Sequence, residues 1–320
     1  MKGFVFPGVR GEPVHQNPGV YQAVPFDEYL SWNAISNSSL GAAIVERSPK
    51  IVVSMGHYVS QKPMEESAEI RFGKLCHAGR FEFMTALKQY AVMPDLIAFD
   101  VDAEGNAVAS QCTDADGKAT QSKNAKMYKD RVARWTACHV GQSIVSQDEF
   151  NRMGGVLYAL DQDEMAREYF RNNGPATDYE LSIVWKDTET GLLCKGRIDC
   201  VQHDKSCPTV IDLKTTDSVI KFPRTAATFG YHRQAAYYSD GMHVLTGCMY
   251  TPAAVAVERE KPHTVHGAPW RFASEIAGRM EYRAALNAIA TALDKNDWPS
   301  VSPPGEWAIP AYALPEMQIG

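Results

Sequence analysis

Asp199, Asp212 and Lys214 are acid and base side chains set inside two apolar runs, "GRIDCV" and "TVIDLKT". In an extended chain successive side chains alternate between faces. That places Asp212 and Lys214 on one face, since they are two positions apart. It also puts Ile198 and Cys200 on one face of their run and Arg197, Asp199 and Val201 on the other. If the two runs pair antiparallel, two carboxylates and an ammonium converge at one end of a sheet. Carboxylates held close repel unless a cation lies between them. Hard oxygen donors suit Mg²⁺ or Mn²⁺, and the lysine could then activate a water or stabilise charge on a phosphate. This is the chemistry of phosphodiester hydrolysis. A buried Asp–Lys ion pair with Asp199 on a hairpin rim is the competing reading, and on these residues alone both stay open.

The elements around the runs support a sheet. Residues 180–185, 192–201 and 209–215 read as strands, β-branched or alternating, with turn residues between them. The stretch 222–245 reads as mainly helical and 247–260 as strand, with Pro252 marking a bulge or an edge. A long amphipathic helix follows from about residue 273. On the N-terminal side, helices are expected in "SNSSLGAAIVERSP", at 65–87, at 124–139 and at 147–172. The acidic stretch 94–120 reads as loop, and the last residues as a Pro- and Trp-rich tail over the surface. The fold class is therefore α/β or α+β, a mixed central sheet flanked by helices with a helical N-terminal portion. The expected division is an irregular lead-in over 1–30, a single domain over 31–315, and a tail over 316–320.

Composition narrows the function classes. Over 320 residues, 45% are hydrophobic and 22% charged, which provides for a sizeable core. A formal net charge of −6 argues against a generic polycation on nucleic acid but not against a local basic groove. No apolar run is long enough to span a bilayer, and the N-terminus lacks a signal-peptide pattern, so a cytoplasmic protein is expected. Seven cysteines form no CxxC pair, which speaks against a disulfide framework, a zinc site or an iron–sulfur cluster. "DVDAEG" at 100–105 begins like a calcium loop but has Gln111 at the twelfth position, where a glutamate is needed. His263 and His266 in "HTVH" have no second half of a zinc site.

Three short motifs in order carry a resemblance. Gly196 to Asp199 ("GRID"), Val210 to Lys214 ("VIDLK"), and Gln234 with Tyr238 on one helical face resemble the nuclease motifs of the RecB-like branch of the PD-(D/E)XK superfamily. With "ISNSSLGAAIVERSP", "RFGKLCHAGRFE", "GYHRQAAYYSDG" and the closing "WPSVSPPGEWAIPAYALPE", the chain resembles the RecE (exonuclease VIII) nuclease-domain family over about Ile35 to Pro315. By this resemblance the chain is expected to correspond to the nuclease domain alone, without the long N-terminal region that RecE itself carries.

The resemblance implies a restriction-endonuclease-like core and specific roles. Asp199 and Asp212 match metal-binding acids, the Leu213 backbone carbonyl a further ligand, His77 a histidine that joins the metal site, and Lys214 the catalytic lysine. Glu180 matches an acid that holds a second metal or its water, with a plain strand-edge glutamate as the alternative. Tyr231, Gln234 and Tyr238 would face DNA or order the site, while Tyr237 is expected in the core. Lys195, Arg197, Lys221, Arg224 and Arg233 are candidate phosphate contacts. The implied activity is a Mg²⁺-dependent exodeoxyribonuclease, with Mn²⁺ able to substitute. It would degrade linear duplex DNA from 5′ ends and leave 3′ tails for a single-strand annealing protein of the RecT type. A homo-oligomeric ring, a tetramer or alternatively a trimer, encoded by a phage or prophage and working in the bacterial cytoplasm, completes the implied picture. An endonuclease or single-strand nuclease on the same fold, or a non-catalytic DNA-binding scaffold, are the alternatives.

Overall fold

The computed structural model describes residues 17–45, 67–170, 177–204, 206 and 208–298. The expected C-terminal tail over the surface lies outside these residues. The main sheet has six strands: β1 (Gly19–Tyr21), then, after four short strands outside this sheet, β6 (Thr177–Lys186), β7 (Leu193–Gln202), β8 (Thr209–Thr216), β9 (Thr251–Glu258) and β10 (Val265–Pro269). They lie in that order across the sheet, with every pair antiparallel except β8 and β9. The parallel step is bridged by two of the helices, α8 (Phe222–Phe229) and α9 (Tyr231–Thr246). A parallel neighbour needs a crossover of this kind.

Two helical layers cover the sheet. On one face α2 (Asn37–Val45), α9 and α10 (Phe272–Lys295) pack with Leu181, Ile183, Ile198 and Val210. On the other, α3 (Ala68–Phe81), α6 (Gln147–Gln162) and α7 (Glu164–Tyr169) pack with Cys200, Ile211, Leu213 and Val255. Ser67 caps α3, and Ser146 with Glu149 forms a capping box on α6. These satisfy backbone N–H groups that would otherwise be unpaired.

Several expectations are corrected. The segment 65–87 is two helices, since α3 stops at Phe81 and α4 (Phe83–Gln89) follows a break at Glu82. Residues 19–31 are not irregular. They form β1, an edge strand on β6, and the short helix α1 (Phe26–Ser31), anchored by Tyr29 and Trp32 against Val184. Pro252 is neither in an edge strand nor at a bulge. It is the second residue of the interior strand β9, in register with Val210, near a strand start where a missing N–H is tolerated. The 94–120 stretch contains a hairpin, β3 (Phe99–Val101) with β4 (Ala107–Ala109), beside a parallel pair of β2 (Tyr90–Met93) and β5 (Ser143–Ser146). The buried Arg131 of α5 (Lys126–Cys138) ties this stretch down by donating to the carbonyls of Leu96, Phe99, Ser110 and Gln111.

The period of two also fails at one place. Tyr179 and Cys200 pack on the α3 face, while Leu181 and Ile198 pack on the α9 face. Each pair of neighbours in a strand is two residues apart and should share a face. The break falls between them, at Glu180 and Asp199, where Glu180 has φ +49°. So Cys200 leaves the face of Ile198, and Val201 joins it, contrary to simple alternation.

Candidate active site

The break in alternation is where the titratable residues meet. Glu180 stands opposite Asp199 in the β6–β7 register, between the pairs Tyr179↔Cys200 and Leu181↔Ile198. A non-glycine residue in the left-handed region is strained, and here the strain coincides with a pair of acids, Asp199 buried and Glu180 half-buried. The β7–β8 pairing, antiparallel as the two runs required, then sets Asp199 beside the middle of β8. Its Oδ2 accepts the Leu213 N–H at 2.7 Å.

On β8, Asp212 and Lys214 share a face as expected and are joined at 2.5 Å. Gln234 of α9 donates to the other oxygen of Asp212 at 3.0 Å. Tyr231, at the start of α9, lays its ring 4.9 Å from the Lys214 ammonium. Tyr238 packs on Gly196, where a β-carbon would come within 2.6 Å of its ring. That close approach is a physical reason for the glycine in "GRID". Tyr237 is in the core and donates to the Ile35 carbonyl.

From the other face α3 brings His77. Its Nε2 is 2.7 Å from the Leu213 carbonyl. A carbonyl only accepts, so Nε2 carries the hydrogen. Burial, with Lys214 nearby, lowers the imidazole pKa and keeps the ring neutral. Nδ1 then presents a lone pair to Asp199 Oδ2 at 3.5 Å. Two lone pairs facing each other in a buried site call for a proton or a cation between them.

The electrostatics point the same way. Burial, with the Asp212 carboxylate alongside, pushes Asp199 up to about 8. Glu180 is also raised, by burial and by Asp199. Burial alone would lower Lys214, but Asp212 and Asp199 outweigh it and raise its pKa, so it stays an ammonium. Metal-ligating atoms of His77, Glu180 and Asp199 all lie within 4.8 Å of one another. A nitrogen lone pair, hard carboxylate oxygens and mutual repulsion between acids fit a divalent cation. The Leu213 carbonyl, expected as a ligand, has one lone pair engaged by His77.

Three of the expected phosphate contacts are corrected. Lys195 is 6% exposed and its ammonium donates to the carbonyls of Tyr29, Leu30 and Trp32. All three of its hydrogens are used at the end of α1. Arg233 is likewise buried and holds Asn37 and Glu281. Arg197 donates to Glu180 at 2.7 Å and to the Val24 carbonyl at 2.7 Å, so it supports the acid rather than facing a phosphate. The sequence reading missed that role, although the register that sets Arg197 against Ser182 puts it within reach of Glu180. Lys221 and Arg224 are exposed at the start of α8.

Comparisons with known proteins bear on the fold and the family. Among solved structures, the chain resembles "Putative exonuclease" from Eubacterium rectale at 11% identity and a TM-score of 0.52, over 85% of this chain and 88% of that one. A second structure, SSO0001, aligns at 15% identity over 43% of this chain and 62% of that one, with a TM-score of 0.24. No curated protein matches the sequence. A family model matches residues 53–305, most of the chain and all of the site just described. The chain belongs to that family, the PDDEXK-like domain of unknown function (DUF3799).

Proposed function

We propose that this protein is a divalent-metal-dependent deoxyribonuclease, acting as an exonuclease on linear duplex DNA. The observation that carries the reading is the convergence of His77, Glu180 and Asp199 beside the Asp212–Lys214 pair at a strained break in the sheet. A cation bound there supplies Lewis-acid polarisation of the phosphate and a water of lowered pKa.

The chain's own residues do the rest. Asp199, Glu180 and His77 Nδ1 would hold the cation, with Asp212 a further candidate ligand. Gln234 fixes the orientation of Asp212 from α9. Lys214 stays protonated and places positive charge where the phosphate becomes more negative in the transition state. Tyr231 limits where the Lys214 ammonium can point. Arg197 aims Glu180 into the site. Lys221 and Arg224 guide the DNA backbone.

The direction of digestion, from 5′ ends with 3′ tails left for an annealing protein of the RecT type, rests on the resemblance to the RecE family. So do a ring-shaped tetramer or trimer and a phage or prophage origin. The single domain read from the sequence over 31–315 would extend back to β1, which pairs with β6. An acidic exterior around a basic channel would reconcile such a ring with the net charge of −6. No helix among the described residues is long and apolar enough to cross a membrane.

The test uses linear duplex labelled at the 5′ or the 3′ end and a covalently closed circle, each with Mg²⁺ or EDTA. Early release of 5′ label, from linear DNA only and with Mg²⁺ only, is the expected result. Cleavage of the closed circle would establish an endonuclease instead. DNA binding without cleavage under Mg²⁺ or Mn²⁺ would favour a scaffold.

A further inference from the structure

Two exposed phenyl rings stand near the site, each linked to it through one intervening side chain. Phe26 begins α1 and is 48% exposed, although its neighbours Tyr29 and Trp32 are buried at 6% and 3%. It extends their aromatic cluster outward, lying 6.1 Å from Tyr29 at an interplanar angle of 25°. The Arg197 guanidinium, which grips Glu180, lies 5.8 Å from the Phe26 ring. Lys74, one turn before His77 on α3, lies 6.0 Å from the same ring. Two cations therefore lie over a half-exposed aromatic ring, one side chain away from a candidate metal-ligating acid.

The second ring is Phe229, 62% exposed at the end of α8. It stacks on Tyr231 at 5.9 Å and 26°, and Tyr231 in turn covers the Lys214 ammonium. One chain of contacts ends at a candidate metal ligand, and the other at the lysine expected to face the scissile phosphate. The Phe26 chain runs through Arg197 to Glu180, and the Phe229 chain through Tyr231 to Lys214. Neither phenyl ring belongs to a core cluster among the described residues. Exposed aromatic faces beside cations are the usual platform for unstacked bases, because every base has a π-face and the adjoining phosphate needs neutralising.

We propose that Phe26 and Phe229 are stacking platforms for the nucleobases on either side of the scissile phosphate, so that the site takes a DNA end whose last nucleotides are unpaired. The inference rests on the nuclease reading above and deepens it by naming the form of the substrate. Separated bases let the backbone approach the half-buried Asp212 and Lys214 without the partner strand. Such platforms are tolerant of sequence, so end recognition would carry no base preference.

The test measures binding of the full-length protein to two DNAs in Ca²⁺, in place of Mg²⁺, by fluorescence anisotropy. One is a duplex with frayed, mismatched ends and 2-aminopurine as the terminal base. The other is the same duplex closed at both ends by hairpins, with the probe internal. Phe26→Leu and Phe229→Leu keep apolar bulk but lose the aromatic face, and Phe26→Trp restores one. Each leucine variant should bind frayed DNA at least about five-fold more weakly than the wild type, from the usual worth of one stacked base. Affinity for the closed duplex should be unchanged, and Phe26→Trp should regain the frayed-end affinity and the quenching of the terminal probe. Leucine variants that bind both DNAs as the wild type does would overturn the inference and leave the nuclease reading intact. Wild-type protein that binds neither DNA would overturn both.

Discussion

Replacing Asp199 by asparagine should stabilise the metal-free protein above pH 8, although it removes a residue central to the site. Asparagine is close in shape to protonated aspartic acid, and its carbonyl oxygen can keep the 2.7 Å bond from Leu213 N–H. The aspartate it replaces titrates at about 8 in the folded protein because of burial and the adjoining Asp212 carboxylate. Unfolded, it titrates near 3.9. A carboxyl whose pKa is raised by folding binds its proton more tightly in the folded state. Its stabilising contribution is complete below about pH 4 and is lost as the pH climbs through about 8. Some four units correspond to on the order of 5 kcal/mol. Water entering the opened site lowers that ceiling, so a gain of about 2–4 kcal/mol for Asp199→Asn is expected at pH 9. Urea denaturation in EDTA, repeated from pH 5 to pH 9, measures it. The gap between variant and wild type should widen from pH 5 to about pH 8 and then level off. Millimolar Mg²⁺ should stabilise the wild type by mass action and the variant far less. A variant less stable than wild type at pH 9 in EDTA, or a gap that does not change with pH, would refute the account of strained, cation-seeking acids.

Further outcomes follow from other contacts. Gly196→Ala drives a methyl group within 2.6 Å of the Tyr238 ring, and overpacking of this kind should cost about 1–3 kcal/mol in urea denaturation. Lys195→Met leaves the carbonyls of Tyr29, Leu30 and Trp32 unpaired. It should destabilise the fold by about 2 kcal/mol without changing the salt dependence of DNA binding. Arg224→Gln, on an exposed helix start, should do the reverse: stability unchanged, and the slope of log affinity against log salt reduced by about one. Equal salt slopes for the two variants would remove the distinction drawn between a buried cation and a DNA-facing one.

The parts of the site that could be read from the sequence are those set by local periodicity. Asp212 and Lys214 lie two apart on a regular strand, and Gln234 and Tyr238 lie four apart on a helix, so their shared faces follow from backbone geometry. His77 and Gly196 were recognised only through their motifs, and packing now gives each a reason, the Leu213 carbonyl and the Tyr238 ring. The phase change at Asp199 was hidden because it depends on the backbone of Glu180, a residue on another strand. Lys195 and Arg233 were misjudged for a related reason. A basic side chain in a sequence does not announce its burial, and the partners that consume them are Tyr29 and Asn37, far away along the chain. Residues 19–31 looked irregular because β1 is only three residues long and its pairing with β6 is a backbone matter.

The central claim is that these acids, with Lys214, form one metal-dependent hydrolytic centre. It is tested most directly by single-turnover cleavage of end-labelled linear duplex DNA across a Mg²⁺ titration, with wild type, Asp212→Asn and Lys214→Met compared alongside DNA binding. The account predicts saturable Mg²⁺-dependent cleavage by the wild type, and none by either variant while both still bind DNA. Cleavage by Asp212→Asn or Lys214→Met at the wild-type rate would contradict it.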